Sequence, residues 1–236
     1  SQCNRYSCKR LNIAVENTFM YLQKWIKMKR VLIPVLTLII CITIIWKWTL
    51  GFSAFTVFTY TLDKAGTIPR AFPDISMINQ NGKTFHLKDK HKFMLANFVY
   101  LNCPYVCHKV NNQLEQIYHL IDSSTIPSKL EFLTLSFDLK NDNIQKIKKY
   151  RSYFGTDING WTFALPYKVS NQEFNQYLTR VGIWKYAVPS TGIINHSIYL
   201  FLISPENKII KIYDPARDSN DVIVRQIYSC LQENTI

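Results

Sequence analysis

The chain has 236 residues, 47% of them hydrophobic and 19% charged, and a formal net charge of +12. That balance belongs to a folded protein and excludes a disordered or collagen-like chain. The charge is lopsided: residues 1–30 hold seven Lys and Arg against Glu16, whereas residues 51–236 hold 20 basic against 15 acidic groups. No basic stripe with interleaved aromatics runs along the chain, so no nucleic-acid partner is expected.

Residues 1–27 show no hydrophobic period. Met28 is the expected natural start, with the stretch before it non-native, and residues 1–30 read as a cytoplasmic leader. Val31–Trp46, VLIPVLTLIICITIIW, carries no charge, and apart from Lys47 the chain stays uncharged through Leu62. About 20 apolar residues cross a bilayer, so residues 31–52 are expected to form a single transmembrane anchor. Lys47 then snorkels near the far side, and Trp46 and Trp48 sit in the interfacial belt. Lys27, Lys29 and Arg30 precede the span, and the positive-inside rule sends residues 53–236 across the membrane. A cleavable signal peptide is the competing reading; the absence of an A-x-A site favours an uncleaved anchor. Residues 53–70 read as a tether ending at Ile68-Pro69-Arg70, and residues 71–236 as the exported domain.

Ala71–Ile78 and Lys83–Leu87 flank Asn81-Gly82, a hairpin turn signal. Phe93–Leu101, FMLANFVYL, is a near-continuous apolar run, as in a strand buried on both faces. Pro104 suits the first position of a helix whose apolar residues, Val106, Val110, Leu114, Ile117 and Ile121, share one face. Leu130–Phe137 is the next strand. Asn141–Phe154 is an amphipathic helix closed by Gly155. Trp161–Leu165 is a short strand and Gln172–Val181 a helix. Ser197–Ile203 and Ile209–Tyr213 flank Pro205–Lys208 as a hairpin, and Asp221–Leu231 is a closing helix. This alternation predicts an α/β fold with a parallel and an antiparallel half.

Six cysteines are present. Cys3 and Cys8 fall in the leader and Cys41 in the apolar span, which leaves Cys103, Cys107 and Cys230. NCPYVCHKV, residues 102–110, places Cys103 between a buried strand and a helix N-terminus, whose partial positive charge favours a thiolate. Cys107 lies one turn later. The pair fits a redox disulfide or a soft-metal clip; two unrelated buried cysteines are the plain alternative. Haem attachment uses C-x-x-C-H, whereas three residues separate these cysteines. Structural zinc calls for four closed ligands, and His108 points away from Cys103 on a regular helix. His86, His91 and His119 read as ordinary loop or helix-surface histidines.

FVYLNCPYVCHKV resembles the copper-site segment of the Sco (SenC) family, thioredoxin-like copper proteins of cytochrome c oxidase assembly. LSFDLKND (136–142 within it), YFGTDINGWTF (153–163) and INHSIYLFLISPENKI (194–209) are similar to three further family segments, so the likeness covers about residues 70–231. It implies a thioredoxin-like fold, a mixed central sheet flanked by helices, with one N-terminal transmembrane helix. It also implies copper, as Cu(I) or Cu(II), held by Cys103, Cys107 and His196. Asp138 corresponds to a family position that shapes the site. Cys103 and Cys107 are the implied disulfide pair when oxidised. Cysteine and histidine suit copper on chemical grounds as well; without the flanking match, His196 would read as a loop histidine bonded to backbone. Tyr105 and His108 stand where the family pattern usually has an acidic residue and a proline, Asn195 where an aspartate often precedes the histidine, and Leu139-Lys140-Asn141 where Pro and Arg are commoner.

The expected function is that of a membrane-anchored copper chaperone for the binuclear copper site of cytochrome c oxidase subunit II. Its expected partners are that subunit, a copper donor protein and the membrane. An exported thiol–disulfide reductase using the same cysteines is the alternative. A peroxide-reducing enzyme has no peroxidatic motif to support it. The expected location is a bacterial inner membrane with the domain in the periplasm, the alternative being the mitochondrial inner membrane facing the intermembrane space.

Overall fold

The computed structural model describes the chain apart from residues 1–4, 50, 52–55, 104–105, 190 and 234–236; for residues 5–19, 21–24, 26 and 106–107 it describes the backbone alone. The chain divides into two compact units, Ser1–Phe55 and Thr56–Ile236.

The first unit is built on α1, Arg5–Trp48. The helix begins well before Met28, where the sequence showed no period. No Gly or Pro interrupts residues 5–33, so nothing local breaks the backbone ladder. Within it, Lys27–Trp48, 22 residues, is long and apolar enough to cross a membrane: at 1.5 Å per residue it spans about 33 Å against a hydrocarbon core of about 30 Å. Thr37 and Thr43 return their hydroxyls to the carbonyls of Ile33 and Ile40, at 2.9 and 2.8 Å, which satisfies them inside the helix. Of the span expected over 31–52, residues 31–48 are in this helix and Thr49 and Gly51 are turns beyond it; residues 50 and 52–55 lie outside the described ones.

The second unit is organised by an eight-stranded mixed sheet. Its strands are β1 (Arg70–Ala71), β2 (Met77–Asn79), β3 (Thr84–Phe85), β4 (Phe93–Val99), β5 (Leu130–Ser136), β6 (Trp161–Pro166), β9 (Leu200–Ile203) and β10 (Lys208–Tyr213), in the order β1-β10-β9-β4-β5-β6-β2-β3. β4, β5 and β6 are parallel to one another; β9, β10 and β1 extend one side antiparallel, and β2 and β3 the other. A separate hairpin pairs β7 (Lys185–Ala187) with β8 (Ile194–His196).

Both faces of the sheet are covered, which explains the unbroken apolar run of β4. Met94, Ala96 and Phe98 enter one core with Phe174, Tyr177, Leu178 and Val181 of α5 (Asn171–Val181). Phe93 and Leu95 enter the other, with residues of α3 (Val106–Leu120), α4 (Ile144–Arg151) and α6 (Asn220–Glu233). One polar chain crosses the second layer: buried Asn97 of β4 donates to the Asn111 side chain, which donates to the Tyr150 hydroxyl, the latter at 2.9 Å. It satisfies polar groups that burial would otherwise penalise and fixes α3 against β4. The predicted thioredoxin-like α/β class, with parallel and antiparallel halves, is the fold observed.

Residues 53–70, expected as a tether, differ. α2, Val57–Lys64, starts at a Thr56 capping box in which Thr56 and Thr59 exchange backbone-to-side-chain hydrogen bonds at 3.2 Å. Phe58 and Leu62, four residues apart, share a helix face. Phe58 packs its ring edge on Trp184, centroids 5.3 Å apart, and Leu62 packs on the first core. Arg70 already pairs with Ile209 in β1, so the compact unit begins at Thr56. Eight uncharged or weakly patterned residues after an apolar span look like its continuation; the capping box and the Phe58/Leu62 stripe are the local signals that mark a helix here.

Candidate metal site

The site forms where the parallel strands end, the place at which open α/β sheets build pockets. Val99 closes β4, and the chain turns at once, the Cys103 amide donating to the Tyr100 carbonyl at 3.2 Å. Cys103 is 6% exposed and belongs to the first core. Cys107 lies in the first turn of α3; its side chain, with Pro104 and Tyr105, lies outside the described residues.

His196 is the last residue of β8 and is 9% exposed. Its imidazole packs edge-on against Phe137, centroids 4.9 Å apart, and against Tyr100, 5.7 Å apart. Nδ1 lies 2.7 Å from the Ser197 carbonyl. A carbonyl only accepts, so Nδ1 carries the proton and the lone pair is assigned to Nε2. That is the arrangement a metal-ligating imidazole needs, one nitrogen held and the other basic. Tyr100 also accepts the Ile194 amide on its hydroxyl, at 3.2 Å, which ties the hairpin to the end of β4.

Cys103 and His196 line one cavity of about 670 Å³, with Tyr100, Asn195, Trp184 and Phe58 among its walls. Its lining is mostly apolar. Among the described residues no three His, Cys, Asp or Glu side chains gather as a metal group, Cys107 being outside them. The two donors that are described, a soft sulfur and an imidazole nitrogen, suit copper.

Asp138 is buried two residues beyond β5 but does not line the cavity. Its carboxylate accepts the Asn141 side-chain amide at 2.8 Å and the backbone amides of Asn141 and Lys140 at 3.2 and 3.3 Å. It therefore folds the loop after Phe137, the ring beneath His196. A carboxylate the sequence did not single out, buried Asp142, accepts the Leu101 amide at 3.0 Å and the Ser136 hydroxyl. It joins the cysteine loop to the end of β5. Burial pushes its pKa above the usual carboxylate value, against the lowering pull of those two hydrogen bonds.

The other histidines stand apart. His86 lies 3.0 Å from Asp74, His119 is exposed at the end of α3, and exposed His108 packs on Tyr150, 5.6 Å between centroids. None of them lines the cavity. Tyr100, Phe137 and Lys185 were not legible as site residues, because an aromatic or a lysine at a strand end carries no local signal of what it faces.

Residues 67–232 match the family model SCO1/SenC. The chain belongs to the SCO1/SenC family. The match covers the whole sheet from before β1 to the last turns of α6 and includes Cys103, Cys107 and His196. The chain is 24% identical over 148 residues to the SCO1 protein homolog of Bacillus subtilis (strain 168), covering 61% of this chain and 75% of that protein. It shares its fold with BsSco, a member of the Sco family of cytochrome c oxidase assembly proteins in which a disulfide switch was identified: TM-score 0.59, 20% identity, 71% of this chain and 96% of that one. It shares it too with yeast Sco1 with copper bound: TM-score 0.57, 19% identity, 70% of this chain and 90% of that one.

Proposed function

We propose that this chain is a membrane-anchored copper chaperone that receives copper from a donor protein and passes it to subunit II of cytochrome c oxidase. One observation carries the reading: buried Cys103 and His196, about 90 residues apart in sequence, line the same cavity, with the His196 tautomer set by the Ser197 carbonyl. Membership of the SCO1/SenC family and the copper-bound yeast relative support it. In this reading copper is the cargo, held by the thiolates of Cys103 and Cys107 and by Nε2 of His196. Three donors leave one face of the ion open, so a partner's ligands can displace them in turn. Phe137 and Tyr100 hold the imidazole in place, and Asp138 shapes the loop beneath it.

Lys27–Trp48 serves as the anchor, with the basic residues before it on the cytoplasmic side. The domain then faces the periplasm of a bacterial inner membrane, or the intermembrane space if the source is mitochondrial.

The disulfide switch identified in BsSco favours a second reading, a thiol–disulfide reductase in which Cys103 and Cys107 close a disulfide and pass two electrons and two protons to a disulfide of subunit II or another exported protein, which opens to two thiols. The readings part at His196, which a reductase does not need. Cu(I) and Cu(II) binding by the full chain, measured in competition with a weak chelator, separates them. The chaperone reading expects the wild type to bind, His196→Ala to lose affinity at least about tenfold, and Cys103→Ser to lose more. It expects closure of the Cys103–Cys107 disulfide to abolish binding, because the thiolates are consumed. A wild type that holds no copper, or a disulfide form that keeps it, overturns it.

A further inference from the structure

The lysine that pairs with His196 across the hairpin remains unexplained by the proposed ligand set. Lys185 on β7 stands directly opposite His196 on β8, so the two residues lie on one short two-stranded ribbon with neighbouring backbones. Its ammonium is half-buried and donates to the Phe137 carbonyl at 3.2 Å. It also lies 5.7 Å from the Phe137 ring centre and 5.5 Å from that of Phe174. Phe137 is the ring on which the imidazole rests. A lysine in such a place is unusual: burial lowers its pKa, and only the Asp138 carboxylate works the other way. Aliphatic packing alone would be served by Val or Leu at this position without that cost.

We infer that Lys185 is a positioning residue for His196, pinning the β7–β8 hairpin to the end of β5 through the Phe137 carbonyl. The inference rests on the copper reading above and adds to it the residue that holds the histidine donor in place.

The test uses the full chain in detergent, with Lys185→Leu and Lys185→Arg beside the wild type. Leucine keeps an apolar stem and removes the donor; arginine keeps a donor. In the metal-free chain, Lys185→Leu is expected to speed amide exchange at Ile194–Ser197, and Lys185→Arg to restore protection. In competition with a chelator, Lys185→Leu is expected to bind copper about tenfold more weakly, with Lys185→Arg close to wild type. Should Lys185→Leu not fold, Lys185→Ala reads the same exchange and affinity. A wild type that holds no copper sinks the copper reading, and the exchange measurement then tests the anchoring by itself. Unchanged exchange at Ile194–Ser197, unchanged copper affinity in a wild type that binds it, or a Lys185→Arg as altered as Lys185→Leu overturns this inference alone.

Discussion

His196 depends on neighbours that hold its ring and its proton. Tyr100 does both kinds of work nearby, packing on the imidazole and accepting the Ile194 amide. Tyr100→Phe keeps the ring and leaves that amide without its acceptor. It is expected to cost about 1 kcal/mol of stability and about tenfold in copper affinity, read by denaturant unfolding and chelator competition; equal affinity would show that the hydroxyl does not position the hairpin. Asp142 gives a pH-dependent prediction. Its folded pKa is raised above 3.8 by burial, so its protonated form is the one the fold favours. The stability it contributes is fully present below the unfolded pKa and is lost as pH rises through the folded one. Asp142→Asn, which cannot ionise, is therefore expected to gain stability relative to wild type as pH rises from about 4 to 7. Urea unfolding across that range checks it, and a constant gap would contradict the assigned cause. These two residues also show where sequence reading stopped. Cys103 and His196 stood out because family-like segments surround them; Tyr100 and Asp142 act through partners 94 and 41 residues away, and nothing beside them in the chain announces it.

Among the elements, α2 and the end of α5 meet at Gly182. That residue closes α5 with φ +98, a conformation that costs other residues about 1–2 kcal/mol. A Cβ there would lie 2.8 Å from Leu62 Cδ1 and 3.3 Å from Leu62 Cα. Gly182→Ala is thus expected to destabilise by about 2–4 kcal/mol, backbone strain and overpacking together, seen as a lower Tm. It is also expected to loosen α2, whose Phe58 walls the cavity, so copper affinity should fall with Tm; an unchanged Tm would mean that α2 is not held there. The long buried strands and the amphipathic helices were legible, since periodicity and length report directly on burial. β7 and β8 were not: three residues each, they pair with one another outside the main sheet, and so short a run carries no period.

At the scale of the molecule, the domain begins at Thr56, and the difference between that start and the expected Ala71 is measurable. A piece spanning 56–236 is expected to melt about 4–8 °C above one spanning 71–236. The shorter piece loses the burial of Leu62 and the Phe58–Trp184 contact, about 2 kcal/mol. Coincident melting would return residues 56–70 to the status of a tether.

The amino-acid pattern by itself determined the α/β class with its parallel and antiparallel halves, the apolar span within α1 and the close pair Cys103 and Cys107, while Asp138 and His196 became candidates through the likeness of their segments to a known family. Each of these is written in neighbouring residues, as period, length or motif. Only the tertiary structure decided that α2 belongs to the domain, that Phe137 and Tyr100 cradle His196, and that Lys185 stands behind it. Those facts depend on which strand ends the chain brings side by side, and contacts between distant segments are set by packing of the whole sheet, not by the local spacing of any one stretch.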